Sequence, residues 1–407
     1  MRILLDYRPA LRARSGVGEY VHQLAKALAQ PGTAAARAQS AGRNVAGASL
    51  PATTDEIVVF SSSWKDRPDA SSVRDLGNVR LVDRRWPVRL LNLAWHRFGW
   101  PPIELLAWDR FDVVHSPHPL LLPCRHAAQV VTIHDLDFLT NPARTRAEIR
   151  RDYGTLAADH ARRADRVIVP SRYTASQVER HLEVPAGRIS ICAEGTPDWV
   201  PAGSAPSSGQ PRGFILFLGT LDGRKNIAGL LAAYRVLRER HPGAPKLVLA
   251  GKAPPEAGGA LATLASPPLA GHVEYLGYIR PEARQALYQD AGLLVLPSFD
   301  EGFGLPVVEA MSLGVPVVAA NRGALPEVLG DAGLLVEPDD PEGMAGAMGR
   351  ILTDAAFAAQ LAERGRERAR LFSWERCAAA TRDAYALAVA ARHARQAQRQ
   401  SADGRNQ

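Results

Sequence analysis

Short aliphatic runs separated by helix-patterned stretches recur along all 407 residues, and no other feature constrains the fold as strongly. Nine runs stand out, at 2–5, 57–60, 113–115, 130–133, 167–169, 214–218, 246–250, 293–296 and 315–319. Within each, apolar residues follow one another instead of alternating with polar ones, as in strands covered on both faces of a parallel sheet. Strand–helix repetition of this kind specifies a doubly wound α/β architecture.

The pattern breaks at 201–212, where Pro, Ala, Gly and Ser crowd together as in a linker. The chain therefore divides into an N-terminal domain over 1–200 and a C-terminal domain over 213–375. Two such domains are expected to face each other across a cleft, with ligands outside the carboxyl ends of the strands. A polar, Ala/Gly-rich stretch at 33–49 reads as an insertion, and 397–407, rich in Arg, Gln and Ser, as a flexible tail.

Composition excludes more than it assigns. With 46% hydrophobic and 22% charged residues the chain is globular, not disordered. Cys124, Cys192 and Cys377 are too far apart for a disulfide framework or a zinc site. The opening Met1-Arg2-Ile3-Leu4-Leu5-Asp6 turns polar too early for a secretory leader, and no apolar stretch of about 18 residues exists. A cytoplasmic location follows as the expectation. The net charge of +7 is too dilute to imply nucleic acid.

Local motifs carry more. Directly after the 293–296 run comes Phe299-Asp300-Glu301-Gly302-Phe303-Gly304-Leu305-Pro306-Val307-Val308-Glu309-Ala310-Met311. Gly302 and Gly304 let the backbone approach a ligand, and Pro306 suits the first turn of a helix through Glu309. Such a loop offers N–H groups and a positive helix end to an anion. Glu301 and Glu309 beside it suit hydroxyls, as a sugar and a ribose supply. Arg224 and Lys225, after the 214–218 run and Gly219, suit a diphosphate. His134 follows the 130–133 run, where it donates to a sugar hydroxyl or phosphate oxygen, or else bonds backbone. His115 is a second candidate and His118 a weaker one; Asp6 and Arg8 follow the first run. Gly16 and Gly18 open a helix, but Val21 replaces the third glycine of a dinucleotide fingerprint, which disfavours a dehydrogenase. Gly277 and Tyr278 end a strand-like stretch ahead of a helix over 282–290. Residues 84–100 interleave Arg and Trp at near-helical spacing, which suits either a membrane surface or aromatics packed in the core.

The 299–311 string resembles the E-x7-E signature of retaining, GT-B-fold glycosyltransferases of family 4 (group 1), and the likeness spans nearly the whole chain. Residues 217–227 are similar to the family's strand–loop–"RKN"–helix segment, 131–136 to its histidine motif, and 372–378 to its closing "FSWE" helix. The resemblance implies a GT-B fold of two Rossmann-like domains, the first completed by a C-terminal helix over about 376–396. It implies a nucleotide-diphosphate sugar donor bound by the C-terminal domain. Glu309 would take the ribose, Lys225 and Arg224 the diphosphate, and Glu301 with the Gly302, Phe303, Gly304 and Leu305 backbone the hexose. His134 would lie near the donor sugar, Gly16, Gly18 and Gly219 near its phosphates, and Gly277 and Tyr278 against the base. Asp6, Arg8 and His115 would line the acceptor side. Thr220 departs from the family, which often carries arginine there.

Residues 132–139, 224–226 and 301–306 together ("TIHDLDFL", "RKN" and "EGFGLP") most resemble bacterial mannosyltransferases of surface-polysaccharide biosynthesis. GDP-mannose is then the first expected donor, with UDP-glucose, UDP-linked amino sugars and dTDP-rhamnose as alternatives; a glycan or polyprenyl-linked glycan is the expected acceptor, and the cytoplasmic face of the inner membrane a place of peripheral contact. Asp135 and Asp137 read as a D-x-D metal motif, yet Arg224 and Lys225 supply the charge, so no metal or other cofactor is expected. A nucleotide-sugar epimerase is disfavoured by the E-x7-E and "RKN" strings together. A non-catalytic donor-binding homologue is disfavoured by Glu301, Lys225 and His134.

Overall fold

A computed structural model describes residues 1–11, 14, 16–30, 55–68, 70–141, 147–199 and 213–403. The expected insertion at 33–49, the linker at 201–212 and the last four tail residues lie outside them. The chain forms two compact units, the first from Met1–Thr140, Thr145–Glu194 and Trp374–Gln407, the second chiefly from Gly195–Ser373.

The first unit is built on a seven-stranded sheet in the order β3-β2-β1-β4-β5-β6-β7. Its strands are β1 Arg2–Asp6, β2 Glu56–Ser62, β3 Val79–Arg84, β4 Val113–Ser116, β5 Ala128–Thr132, β6 Arg166–Val169 and β7 Ile189–Ile191. The second holds six strands in the order β10-β9-β8-β11-β12-β13. These are β8 Phe214–Leu218, β9 Lys246–Ala250, β10 Val273–Gly277, β11 Ala291–Leu296, β12 Val317–Ala320 and β13 Leu334–Val336. Every pairing is parallel. Ile3 to Leu5, Ile215 to Phe217 and Leu293 to Leu296 are fully buried at successive positions, so helices cover both faces.

All nine aliphatic runs are inner strands, and the four strands without such a run, β3, β7, β10 and β13, are the four sheet edges. An edge strand is half solvated and shows a broken apolar pattern, as the part-exposed residues of β10 do. In each sheet the strand order reverses once, between β1 and β4 and between β8 and β11. Loops leaving those strands diverge and open a crevice at their carboxyl ends.

The polar stretch read as a frayed tail continues the helix Trp374–Asp403. Ala, Arg and Gln are good helix formers whatever their polarity, and Arg395 pairs with the buried Asp165. Nearer its start the helix is strapped to the first unit by Arg382. That side chain donates to Asp55 Oδ2 (3.0 Å), Leu28 O (2.8 Å) and Gln30 O (3.0 Å). Arg382 and Asp55 are both nearly excluded from water. Without Arg382 the carbonyls of Leu28 and Gln30 lose their donor and Asp55 keeps only the Met1 amino group (3.0 Å), so Arg382→Ala is expected to cost about 3 kcal/mol of stability by urea denaturation. A loss below about 0.5 kcal/mol would mean that the strap is idle.

Candidate functional site

In the second unit the loops leaving β8 and β11 flank the point where the strand order reverses. After β8 the chain makes a tight turn, Gly223–Lys225, whose start is capped by the Asp222 carboxylate accepting from Lys225 N. Asn226 then adopts a left-handed conformation (φ 55°) and its Oδ1 accepts from Gly229 N, opening the helix Ile227–Arg240. Its Nδ2 donates to Pro297 O (3.2 Å) and Pro338 O (2.8 Å), tying this turn to the loops after β11 and β13. A second tie runs from Phe299 N to Arg224 O (2.8 Å).

These ties bring Lys225 onto Glu301. Lys225 Nζ donates to Glu301 Oε1, and Ser298 Oγ donates to the same oxygen (2.6 Å). Both charged side chains are almost entirely buried. Burial by itself would raise the Glu301 carboxyl, but the charges of Lys225 and Arg224, with the two hydrogen bonds, hold it below the ordinary glutamate range. Arg224 is half-buried beside the pair. The loop backbone is clamped from the far side as well, where Ala324 N donates to Glu301 O (2.8 Å). At Gly323 a Cβ would stand 2.6 Å from that same oxygen, so only glycine fits.

Downstream, Gly304 (φ 101°) caps the helix Leu305–Ser312, with Pro306 in its first turn as the sequence suggested. Gly302 and Phe303 are buried, the Phe303 ring standing on edge against Phe372 at 5.6 Å. Leu305 is half-buried at the helix start. Glu309 lies on the inner side of that helix. Its Oε1 accepts from Arg284 Nη1 (3.1 Å) and its Oε2 from the Tyr288 hydroxyl (2.7 Å). Glu301 and Glu309 thus have separate partners: one carboxylate is bound to the Lys225 turn, the other to the helix Pro281–Asp290. Gly219 N donates to Ala250 O (2.9 Å), and Gly251 N to Gly277 O (2.7 Å), which sets the predicted glycines at the ends of β8 and β10, on either side of β9. Tyr278 is half-buried, with Lys252 Nζ 5.3 Å from its ring centre.

The first unit repeats the arrangement around β1 and β4. Arg8 grips the fully buried Asp6 with two hydrogen bonds (2.8 and 2.7 Å), and His118 Nε2 lies 3.0 Å from the same carboxylate. Burial opposes the Asp6 charge, yet Arg8 and then His118 drive its carboxyl far below the usual range. His134 stands two residues past β5, half-buried. Its Nδ1 is 3.1 Å from Glu194 Oε1, its Nε2 3.3 Å from Pro117 O, and its ring meets Tyr20 edge-on at 4.6 Å. Gly16 (φ 51°) caps the helix Val17–Ala29. Gly18 is required by packing, because a Cβ would stand 2.9 Å from Pro9 O.

His115 does not belong with these residues. It is fully buried, with Nδ1 2.7 Å from the Tyr385 hydroxyl and Nε2 2.7 Å from Thr132 Oγ1. Burial, together with the charges of His134 and His118, lowers its pKa to about 3. A neutral ring with both nitrogens spent inside the core has nothing to offer an acceptor, and the sequence expectation for it is corrected accordingly. Asp135 accepts from Asp137 N (3.3 Å) at the start of a short helix. Among the described residues no three His, Cys, Asp or Glu side chains converge as metal ligands do. Sequence reasoning missed Ser298, Gly323, Arg284, Tyr288 and Glu194, none of which lies inside a quoted motif.

Glu301, held below its ordinary value of 4.5, contributes stability that is full above that value and is lost as pH falls through the lower folded one. The difference in melting temperature between wild type and Glu301→Gln is therefore expected to be widest near pH 7 and to narrow toward about pH 3. An unchanging difference across that range would disprove the depressed carboxyl.

The chain resembles known proteins over nearly its whole length. The profile described as "Glycosyl transferases group 1" matches residues 212–354, and that described as "Glycosyltransferase Family 4" matches 47–197. The chain is 31% identical over 408 aligned residues to the O-antigen chain mannosyltransferase B of Escherichia coli, covering 95% of this chain and 100% of that protein. Among solved structures it is similar to sucrose-phosphate synthase from Thermosynechococcus elongatus, with a TM-score of 0.69 and 23% identity over 99% of this chain and 100% of that one. The Anabaena protein Alr3699/HepE, solved with UDP and glucose, gives 0.66 and 16% over 93% and 97%. The two parallel sheets are those of a GT-B fold, and the chain belongs to the group 1, family 4 glycosyltransferases.

Proposed function

We propose that the protein is a retaining hexosyltransferase that moves mannose from GDP-mannose to a glycan or polyprenyl-linked glycan in surface-polysaccharide assembly, at the cytoplasmic face of the inner membrane. The buried Lys225–Glu301 pair at the β8/β11 crevice is the observation that carries it. Full-length similarity to an O-antigen chain mannosyltransferase supports the choice of sugar.

In this reading the diphosphate lies against Arg224 and Lys225, whose charge stabilises the leaving group as the bond from the sugar C1 to phosphate oxygen breaks. The Gly302–Gly304 backbone lets the hexose approach closely, and Glu301 accepts from its hydroxyls. Glu309, oriented by Arg284 and Tyr288, accepts from the ribose. His134 donates to a substrate hydroxyl or phosphate oxygen, while Asp6 and Arg8 serve the acceptor. The acceptor oxygen bonds to C1 on the face the leaving group departs from, and a leaving phosphate oxygen takes its proton. Configuration is thereby retained. The cationic pair makes a divalent metal unnecessary.

A panel of nucleotide sugars, followed by thermal shift and product mass, tests the donor. GDP-mannose alone is expected to stabilise the protein and be consumed with acceptor; an epimeric sugar formed without acceptor would make the protein an epimerase, and no response to any nucleotide would sink the assignment. Glu309→Gln should weaken donor binding about tenfold, since a hydrogen bond to a charged group contributes about 1.5–3 kcal/mol. Undiminished binding would remove Glu309 from the ribose. Transfer should proceed unchanged in EDTA; activity abolished by EDTA and restored by manganese would overturn the metal-free reading.

A further inference from the structure

Eight of the fourteen large apolar side chains exposed among the described residues fall between positions 64 and 108 of the first unit. Their centre is the helix Val88–Phe98. At about 100° per residue, positions 89, 90, 93 and 97 share one face about 100° wide. Leu91 and Trp95 point the other way and are 1% and 3% exposed. Leu90 and Leu93, between Arg89 and Arg97, are 61% and 59% exposed. Trp86 precedes the helix, and Phe98 and Trp100, 74% and 58% exposed, stand at its end and just beyond it. The core-packing alternative raised by the sequence therefore holds for Leu91 and Trp95 only.

Charge identifies what this face meets. Between Asp83 and Glu104 there is no acidic residue, but there are four arginines, at 84, 85, 89 and 97. A merely solvated helix face carries both signs and few leucines. The core of a protein interface, by contrast, is poor in charge. Arginine interleaved with leucine and flanked by tryptophan suits anionic headgroups above an apolar layer.

The inner side of the helix is joined to the acceptor residues. Asn92 Oδ1 accepts from Arg8 Nη1 (2.9 Å), and the Arg8 guanidinium sits 4.7 Å from the centre of the Trp95 ring. Arg8 in turn grips Asp6, which His118 also meets. We propose that the Val88–Phe98 helix seats the first unit on an anionic bilayer and, through Asn92 and Trp95, holds Asp6 and Arg8 at that surface, so that the acceptor is taken from the membrane. The acceptor half rests on the function proposed above; the docking half does not.

The test is sedimentation of the full chain with phosphatidylcholine vesicles, with and without phosphatidylglycerol. Binding is expected only with the anionic lipid and should weaken as salt rises. Arg89→Glu with Arg97→Glu should weaken it about tenfold or more, at roughly 1 kcal/mol per basic residue near the surface. Leu90→Ser with Leu93→Ser should do so too. All four positions are exposed, so unchanged melting curves are expected and confirm folding. Equal binding to phosphatidylcholine alone, no binding to either vesicle, or variants that bind as wild type would overturn the docking. So would self-association of the wild type that the leucine variant abolishes, since a second copy would then cover the face. Transfer to a vesicle-embedded acceptor should fall with binding while transfer to a soluble glycan holds; equal loss of both would overturn the link to Arg8. Failure of every donor would remove the proposed function and leave the vesicle result standing.

Discussion

A lysine and a glutamate held together almost out of water set the terms for the second unit. Desolvating each ion costs several kcal/mol, and only close contact with further hydrogen bonds offsets it. Lys225 and Glu301 meet that condition because their loops are fixed independently of the charges. Asn226 bonds the carbonyls of Pro297 and Pro338, Phe299 bonds that of Arg224, and Ala324 bonds that of Glu301. The backbone ties thus hold the side-chain pair in contact. A loop free to move would expose two ions that are stable only in contact.

The same reasoning explains why the charged residues lie where they do in each sheet. Parallel strands leave few positions for a polar side chain except at their carboxyl ends, and neighbouring loops part only where the strand order reverses. In the second unit that point receives Lys225 and Glu301; in the first it receives Asp6, Arg8 and His118. Each site contains a carboxylate whose burial is opposed by an adjacent cation. His134, one strand further along, takes Glu194 and a backbone carbonyl as its neighbours.

How much of this the sequence disclosed depended on distance along the chain. Glu301, Gly304 and Pro306 sit in one uninterrupted string, so the step from strand end to helix start was readable. Lys225 was readable as a cation at a strand end, but its partner 76 residues away was not. Arg284 and Tyr288 look like ordinary helix residues until folding brings them to Glu309. Gly323 has no motif around it and is needed only because another loop's carbonyl passes close by. Inner strands announced themselves through unbroken aliphatic runs; of the edge strands, half in water, only β10 was foreseen, as the strand-like stretch ending at Gly277. His115 misled for a related reason: a histidine at a strand end reads alike whether the strand's last side chain enters the crevice or the core.

The helix Val88–Phe98 shows the limit most clearly. Aromatic and basic residues at helical spacing fit a buried face and a lipid-facing one equally well, because periodicity gives the angle between residues and not the direction of either face. Burial of Trp95 and exposure of Leu93, two positions apart, supply the missing direction. With it the net charge of +7 acquires meaning by location. The arginines of 84–97 stand in a stretch without acids, while Arg224 and Lys225 stand beside a glutamate that one of them already binds. Cations without acidic neighbours suit a diffuse anionic surface; cations set against a fixed carboxylate suit one ligand in one orientation. Arg8 belongs with the second kind by its grip on Asp6 and reaches the first through Asn92 and Trp95, so the two kinds of positive charge are mechanically connected in the first unit.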